Sequence, residues 1–175
     1  MRTGQSAEVM DRFAVRTAVA TGGRDRRYLW TDAFAVCNFL GLHRATGEER
    51  YGAAARQLVA AVHHSLGRHR ADDPRSGWLS GLTDRAGEAH PTKGGPRIGK
   101  TLPERGPREP ADAHLEWDRD GQYFHYLTKW MHALDQMARW TGEAKYATWA
   151  SELLLVAHRA FAYTARDGAT RRMFW

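Results

Sequence analysis

A chain of 175 residues, 42% hydrophobic and 26% charged, is long enough for one domain with a core and too apolar for a disordered or collagen-like chain. The net charge of +6 comes from 26 basic and 20 acidic residues. Arginines such as Arg24, Arg26, Arg27, Arg70, Arg97, Arg105 and Arg172 lie along the whole sequence with acids between them, which reads as a solvated surface and argues against a specific nucleic-acid face.

Glu8, Asp11, Arg12 and Arg16 interrupt the apolar residues of the first twenty positions, so no secretory leader is expected there. No run approaches the roughly 18 apolar residues of a membrane span. Cys37, the one cysteine, lies in an apolar run and excludes both a disulfide framework and a cysteine zinc site within the chain. The expectation is a cytoplasmic protein with no membrane association.

In chain order, residues 1–27 match no clear pattern beyond a helix near 8–20. From about Leu29 to Ala45, the residues Leu29, Trp30, Phe34, Val36, Cys37, Phe39, Leu40 and Leu42 predict a helix that is apolar nearly all round and buried on most faces. Thr46-Gly47 supplies a break. From Glu48 to Leu66, the stripe Tyr51, Ala55, Leu58, Val62 and Leu66 predicts an amphipathic outer helix. Residues 67–117 are rich in proline and glycine and show no period; an irregular insert of roughly fifty residues usually carries function. Two further helices follow, about 122–140 and 143–163: an inner one with Tyr123, Tyr126, Leu127, Trp130, Leu134 and Met137, and an outer one with Tyr146, Ala150, Leu153, Ala157 and Phe161.

These elements repeat. Arg44, Thr46, Gly47, Glu48, Tyr51, Ala55, Leu58 and His63 recur as Arg139, Thr141, Gly142, Glu143, Tyr146, Ala150, Leu153 and His158, each 95 positions later. Self-similarity at one offset marks copies of a supersecondary unit. The reading is an all-α chain of repeated antiparallel helical hairpins, 29–66 and 122–163, joined by the long irregular insert.

The run Leu29-Trp30-Thr31-Asp32-Ala33-Phe34, the Thr-Gly-Glu turns followed by tyrosine, and the segment Leu115 to Tyr126 resemble bacterial proteins of the six-hairpin glycosidase superfamily. The likeness covers about Tyr28 to Trp175 and is nearest to a group whose own activity is unassigned. It implies a partial (α/α)6 toroid within residues 28–175, a fragment of a larger barrel. It also implies a funnel at the entry of the inner helices where a carbohydrate would bind.

Glu116, Asp118 and Asp120 place three carboxylates within five residues at that entry, and glycoside hydrolysis needs two as acid and as base or nucleophile. The competing reading is helix capping by Asp118 or Asp120. Trp30, Trp117, Tyr123 and His125 are expected as walls that bind substrate, with Asp32 near the funnel and the insert residues His90, Lys93, Arg97 and Lys100 folded over its mouth.

Gly94 to Thr101 satisfies the phosphate-loop pattern, but Pro91 precedes it and Pro103, Pro107 and Pro110 oppose the helix that such a loop requires. The nine histidines lack zincin or deaminase spacing, so no metal or other cofactor is expected. The functional expectation is a glycoside-hydrolase-like enzyme, with epimerase or lyase chemistry as variants. The alternative is a non-catalytic helical-repeat scaffold, which would show an exposed apolar groove without gathered carboxylates. Oligomeric state is left open.

Overall fold

Among the residues that the computed structural model describes, 2–19, 27–106 and 108–173, seven helices and one short hairpin build the fold. The helices are α1 (Arg2–Arg16), α2 (Leu29–Thr46), α3 (Glu49–Leu66), α4 (Asp84–Ala89), α5 (Ala113–Glu116), α6 (Phe124–Thr141) and α7 (Ala144–Phe161); strands β1 (Ala162–Thr164) and β2 (Arg171–Met173) follow. The fold is all-α, made of antiparallel helical hairpins.

The Thr-Gly-Glu turn is built identically in both copies. Gly47 (φ 72°) and Gly142 (φ 71°) take the left-handed conformation that a side chain resists, and their N–H groups donate to His43 O and Ala138 O. Thr46 Oγ1 donates to Leu42 O and accepts from the Glu48 N–H at 3.1 Å; Thr141 does the same with Met137 O and Glu143 N at 3.0 Å. One threonine therefore satisfies a carbonyl of the ending helix and an amide of the next.

Helices α2 and α6 lie side by side at the centre, with α3 against α2 and α7 against α6. They run parallel, since Tyr28 meets Tyr126 at their N-terminal ends and His43 meets Trp140 at their C-terminal ends. Trp130, Phe39, Leu40, Leu127, Leu134 and Met137 are almost wholly excluded from solvent, each buried side chain contributing roughly 1.5–3 kcal/mol.

The copies differ where they meet. Trp130, Trp140 and Trp149 stand 95 positions after Ala35, Ala45 and Ala54, so the second hairpin carries three indoles where the first has methyl groups. All three reach the first hairpin. Trp130 Nε1 donates to His63 Nε2 at 3.1 Å, Trp149 packs edge-on against the same imidazole, and Trp140 covers Gly52, where a Cβ would come within 2.6 Å of the indole. His63 is buried by these rings, whereas its counterpart His158 is exposed. Sequence equivalence of the two histidines is not structural equivalence.

Several boundaries move. Helix α6 begins at Phe124 rather than 122, and the insert, read as irregular, holds the short helices α4 and α5. The N-terminal helix spans 2–16 rather than 8–20; residues 17–19 form a turn stabilised by Thr17 Oγ1 on Phe13 O, and residue 20 lies outside the described residues. It packs on α2 through Met10 and through Phe13 against Phe39, with Asp11 pairing to Arg50. The last helix ends at Phe161 rather than 163, because 162–164 pair antiparallel with 171–173 around an Asp167-Gly168 turn.

Burial lowers the His63 pKa from 6.5 to about 3, so the imidazole stays neutral in the fold. The unfolded chain binds a proton below 6.5 and the folded chain does not. This contribution is thus fully present above pH 6.5 and lost as pH falls toward 3, by about 1.4 kcal/mol per pH unit. His63→Gln, which keeps an acceptor for Trp130, is expected to flatten the acid side of a stability-versus-pH curve measured by urea unfolding.

Candidate functional site

The insert is not free over the helix ends; it is threaded across them and tied down. Asp120, with a side chain only 1% exposed, accepts from three backbone amides through Oδ1: Gly99 at 2.8 Å, Lys100 at 3.3 Å and its neighbour Gly121 at 3.0 Å. Its Oδ2 pairs with the guanidinium of Arg97 and, at 3.4 Å, with that of Arg70. Arg97 also reaches Ser65 O in the last turn of α3 and Arg68 O beyond it. Arg70 reaches Lys100 O and Thr101 O and is paired in addition with the Asp72 carboxylate at 2.7 and 2.8 Å.

Ile98, buried between them, donates to Gly121 O and accepts from Leu29 N at the start of α2. The backbone amides of Gly99 and Lys100, which a phosphate loop would offer to a ligand, are filled by the chain's own Asp120 carboxylate, and residues 102–106 form no helix after Thr101. Neither Asp118 nor Asp120 caps α6, whose N-cap is Tyr123 with no side-chain cap bond.

With the strap in place, Lys100, Glu116, Trp117, Tyr123, His125 and Tyr126 line one cavity of about 480 Å³, floored by Ile98. Lys100 Nζ lies 5.1 Å from the Trp117 ring centre and 5.6 Å from that of Tyr28, within cation–π range. Trp117 is 77% exposed, so its face is open to a ligand. Trp30 stands behind the wall, 5.8 Å from His125 and 5.2 Å from Tyr126 between ring centres. The Tyr28 and Tyr126 hydroxyls bond to each other, and burial together with that bond raises the Tyr126 pKa to about 12.

The carboxylates divide. Glu116 is held by Arg105 at 2.8 Å, and Arg119 approaches it at 3.7 Å. Glu116 and Asp120 border a smaller adjoining space of about 230 Å³ together with Tyr123. Asp118 is exposed and lines neither space. Asp32 also lies apart: it is buried at the start of α2, accepts from Tyr28 N and sits 3.8 Å from Arg27. Desolvation raises its pKa to about 6 against the pull of Arg27. A raised pKa suits a general acid, but Asp32 borders neither cavity.

The insert residues divide as well. Of His90, Lys93, Arg97 and Lys100, Lys100 alone lines the aromatic cavity. Arg97 is spent on Asp120, while His90 and Lys93 meet Glu152 of α7, with His90 Nδ1 2.5 Å from Glu152 Oε1 and Thr92 Oγ1 donating to the same carboxylate at 3.0 Å. These contacts, with Trp149 donating to Ala89 O, anchor the insert to the second hairpin. Tyr28, Arg70 and Glu152 escaped the sequence reading. A tyrosine directly before the apolar helix was a usable signal for the first; nothing local marks the others.

Among the described residues no cluster of three or more His, Cys, Asp or Glu is gathered to hold a metal, and no helix is long and apolar enough to cross a membrane. No protein family, curated protein or solved structure compared with the chain matches it.

Removing half of a buried ion pair leaves an uncompensated charge and costs about 3–5 kcal/mol. Asp120→Asn is expected to destabilise the fold by that order in urea unfolding, well above Asp118→Asn, which should change stability by less than about 0.5 kcal/mol.

Proposed function

We propose that this chain is a carbohydrate-binding, glycoside-hydrolase-like unit, and that the sugar lies on the Trp117 face between Tyr123, His125 and Lys100. The observation that carries this reading is the aromatic cavity itself: Lys100, Glu116, Trp117, Tyr123 and His125, singled out on different grounds, border one space. A flat indole matches the apolar face of a pyranose, while an ammonium and a carboxylate at the rim suit its hydroxyls. The resemblance of residues 115–126 to six-hairpin glycosidases supports the same assignment.

For chemistry, glycoside cleavage requires an acid and a base or nucleophile, and Glu116, which borders both spaces, is the carboxylate placed to serve as one of them, since the oxygens of Asp120 are already taken by five donors. Glu116 also faces the aromatic cavity, so it is the group expected to touch the scissile bond. Asp120 acts first as the tie that shapes the site. Asp118 and Asp32 have no role at the bond in this proposal.

Titration calorimetry with a panel of neutral and acidic oligosaccharides tests the reading. Binding of at least one is expected, with Trp117→Ala weakening it roughly tenfold or more by loss of stacking. Glu116→Gln should spare binding and abolish any turnover of that glycoside. Unchanged affinity in Trp117→Ala would move the ligand elsewhere.

A further inference from the structure

We propose that the ligand of the aromatic cavity is an acidic carbohydrate, a hexuronate whose carboxylate pairs with the Lys100 ammonium while its ring lies on Trp117. This inference rests on the carbohydrate reading of the cavity and adds the charge of its substrate. Lys100 and Glu116 are the groups of formal charge that line the cavity, alongside the titratable His125. Glu116 is already met by Arg105 at 2.8 Å and approached by Arg119 at 3.7 Å. Lys100 has no such counterpart. Among the described residues no Asp or Glu side chain pairs with it, whereas Lys93 and Lys145 reach Glu152 and Glu143.

What holds Lys100 instead is neutral. Its ammonium lies 5.1 Å from the Trp117 ring centre and 5.6 Å from that of Tyr28. A ring face attracts a cation through its quadrupole but carries no net charge, so the ammonium is oriented without being neutralised. The backbone of Lys100 is fixed on both sides: its N–H donates to Asp120 Oδ1 at 3.3 Å and its carbonyl accepts from Arg70 at 2.8 Å. The residue is half-buried, and an anion gains more from a cation partly withdrawn from water than from one in bulk solvent. The tyrosine wall adds no opposing charge, since the Tyr126 hydroxyl is bonded to that of Tyr28 and, with its pKa raised to about 12, stays un-ionised.

The position of the cation sets the form of the anion. Trp117, 77% exposed, offers the face on which a pyranose stacks, and Lys100 borders the same indole. In a hexuronate the carboxyl carbon is bonded directly to the pyranose ring, so a single sugar residue reaches both groups without a linker. A neutral hexose presents a hydroxymethyl group there, which gains a hydrogen bond but not the charge that strengthens it.

Titration calorimetry of the full chain with trisaccharides of galacturonate, glucuronate and mannuronate, each beside its methyl ester, tests the inference. At least one acid is expected to bind roughly tenfold or more tightly than its ester, with a preference that shrinks as salt is raised. Lys100→Met should lower that acid to the level of its ester and leave the ester unchanged, Lys100→Arg should retain the preference, and Trp117→Ala should weaken both ligands. The tie to Asp120 runs through the Lys100 backbone, so the Lys100 variants are expected to keep the helical circular dichroism signal. The comparison of acid with ester on the wild type decides independently of any variant. Equal binding of acid and ester, a preference that survives Lys100→Met, or binding of neutral oligosaccharides alone would overturn the inference while leaving the carbohydrate reading in place. Binding of no saccharide, acidic or neutral, would remove both.

Discussion

A single buried carboxylate organises the part of this protein that is not helix. Asp120 sits where the insert returns to the second hairpin, and its two oxygens hold both sides of that crossing: the amides of Gly99, Lys100 and Gly121 on one, the guanidinium groups of Arg97 and Arg70 on the other. Through Arg97 the tie extends to the carbonyls ending α3, and through Ile98 to the first amide of α2. The energetic logic is that of a charge removed from water: it is tolerated because five donors replace its hydration, and it is costly to disturb for the same reason. Lys100 is positioned by this arrangement, with its amide on Asp120 and its ammonium between Trp117 and Tyr28. The aromatic cavity is thus downstream of the clamp.

The helical frame follows a different principle, duplication followed by divergence at the seam. Both copies close with the same threonine and glycine geometry, because that geometry is entirely local. The seam between copies needs bulk on one side and space on the other. Trp130, Trp140 and Trp149 supply the bulk; Gly52 and the His63 imidazole accept it. The exchange gives the two hairpins unlike surfaces: a stripe buried on α3 and a stripe exposed on α7.

How much of this was legible in the sequence depends on the range of the forces involved. The four long helices and their turns were, since apolar period and the Thr-Gly-Glu caps act over a few residues, and the ends of α2 and α3 fall within a residue of those read from the pattern. The shift of α1 arises at its start, where Thr3-Gly4-Gln5-Ser6 hold no apolar side chain to mark the first turn. The small hairpin after α7 had a signal in Asp167-Gly168, a dipeptide suited to tight turns, which continued helical periodicity to 163 concealed. At the site, Glu116, Trp117, Tyr123 and His125 were found because they are neighbours in sequence near one helix entry. The roles of Asp120, Arg97 and Glu152 were not, because their partners lie 20 or more residues away, as with Gly99 and Lys100 for Asp120, in a segment without period. An aspartate before a helix reads as a cap whether or not a guanidinium waits for it.

Native-state hydrogen exchange at the amides of Gly99 and Lys100 measures the central interaction most directly. Both lie in an irregular, proline-flanked segment that would ordinarily exchange fast, yet both donate to the Asp120 carboxylate. If Asp120 is the tie that holds the insert to the helical frame, these two amides exchange as slowly as those in the middle of α6 and open only with global unfolding. Rapid exchange at both, while α6 remains protected, would show that the strap opens independently and that the clamp does not build the site.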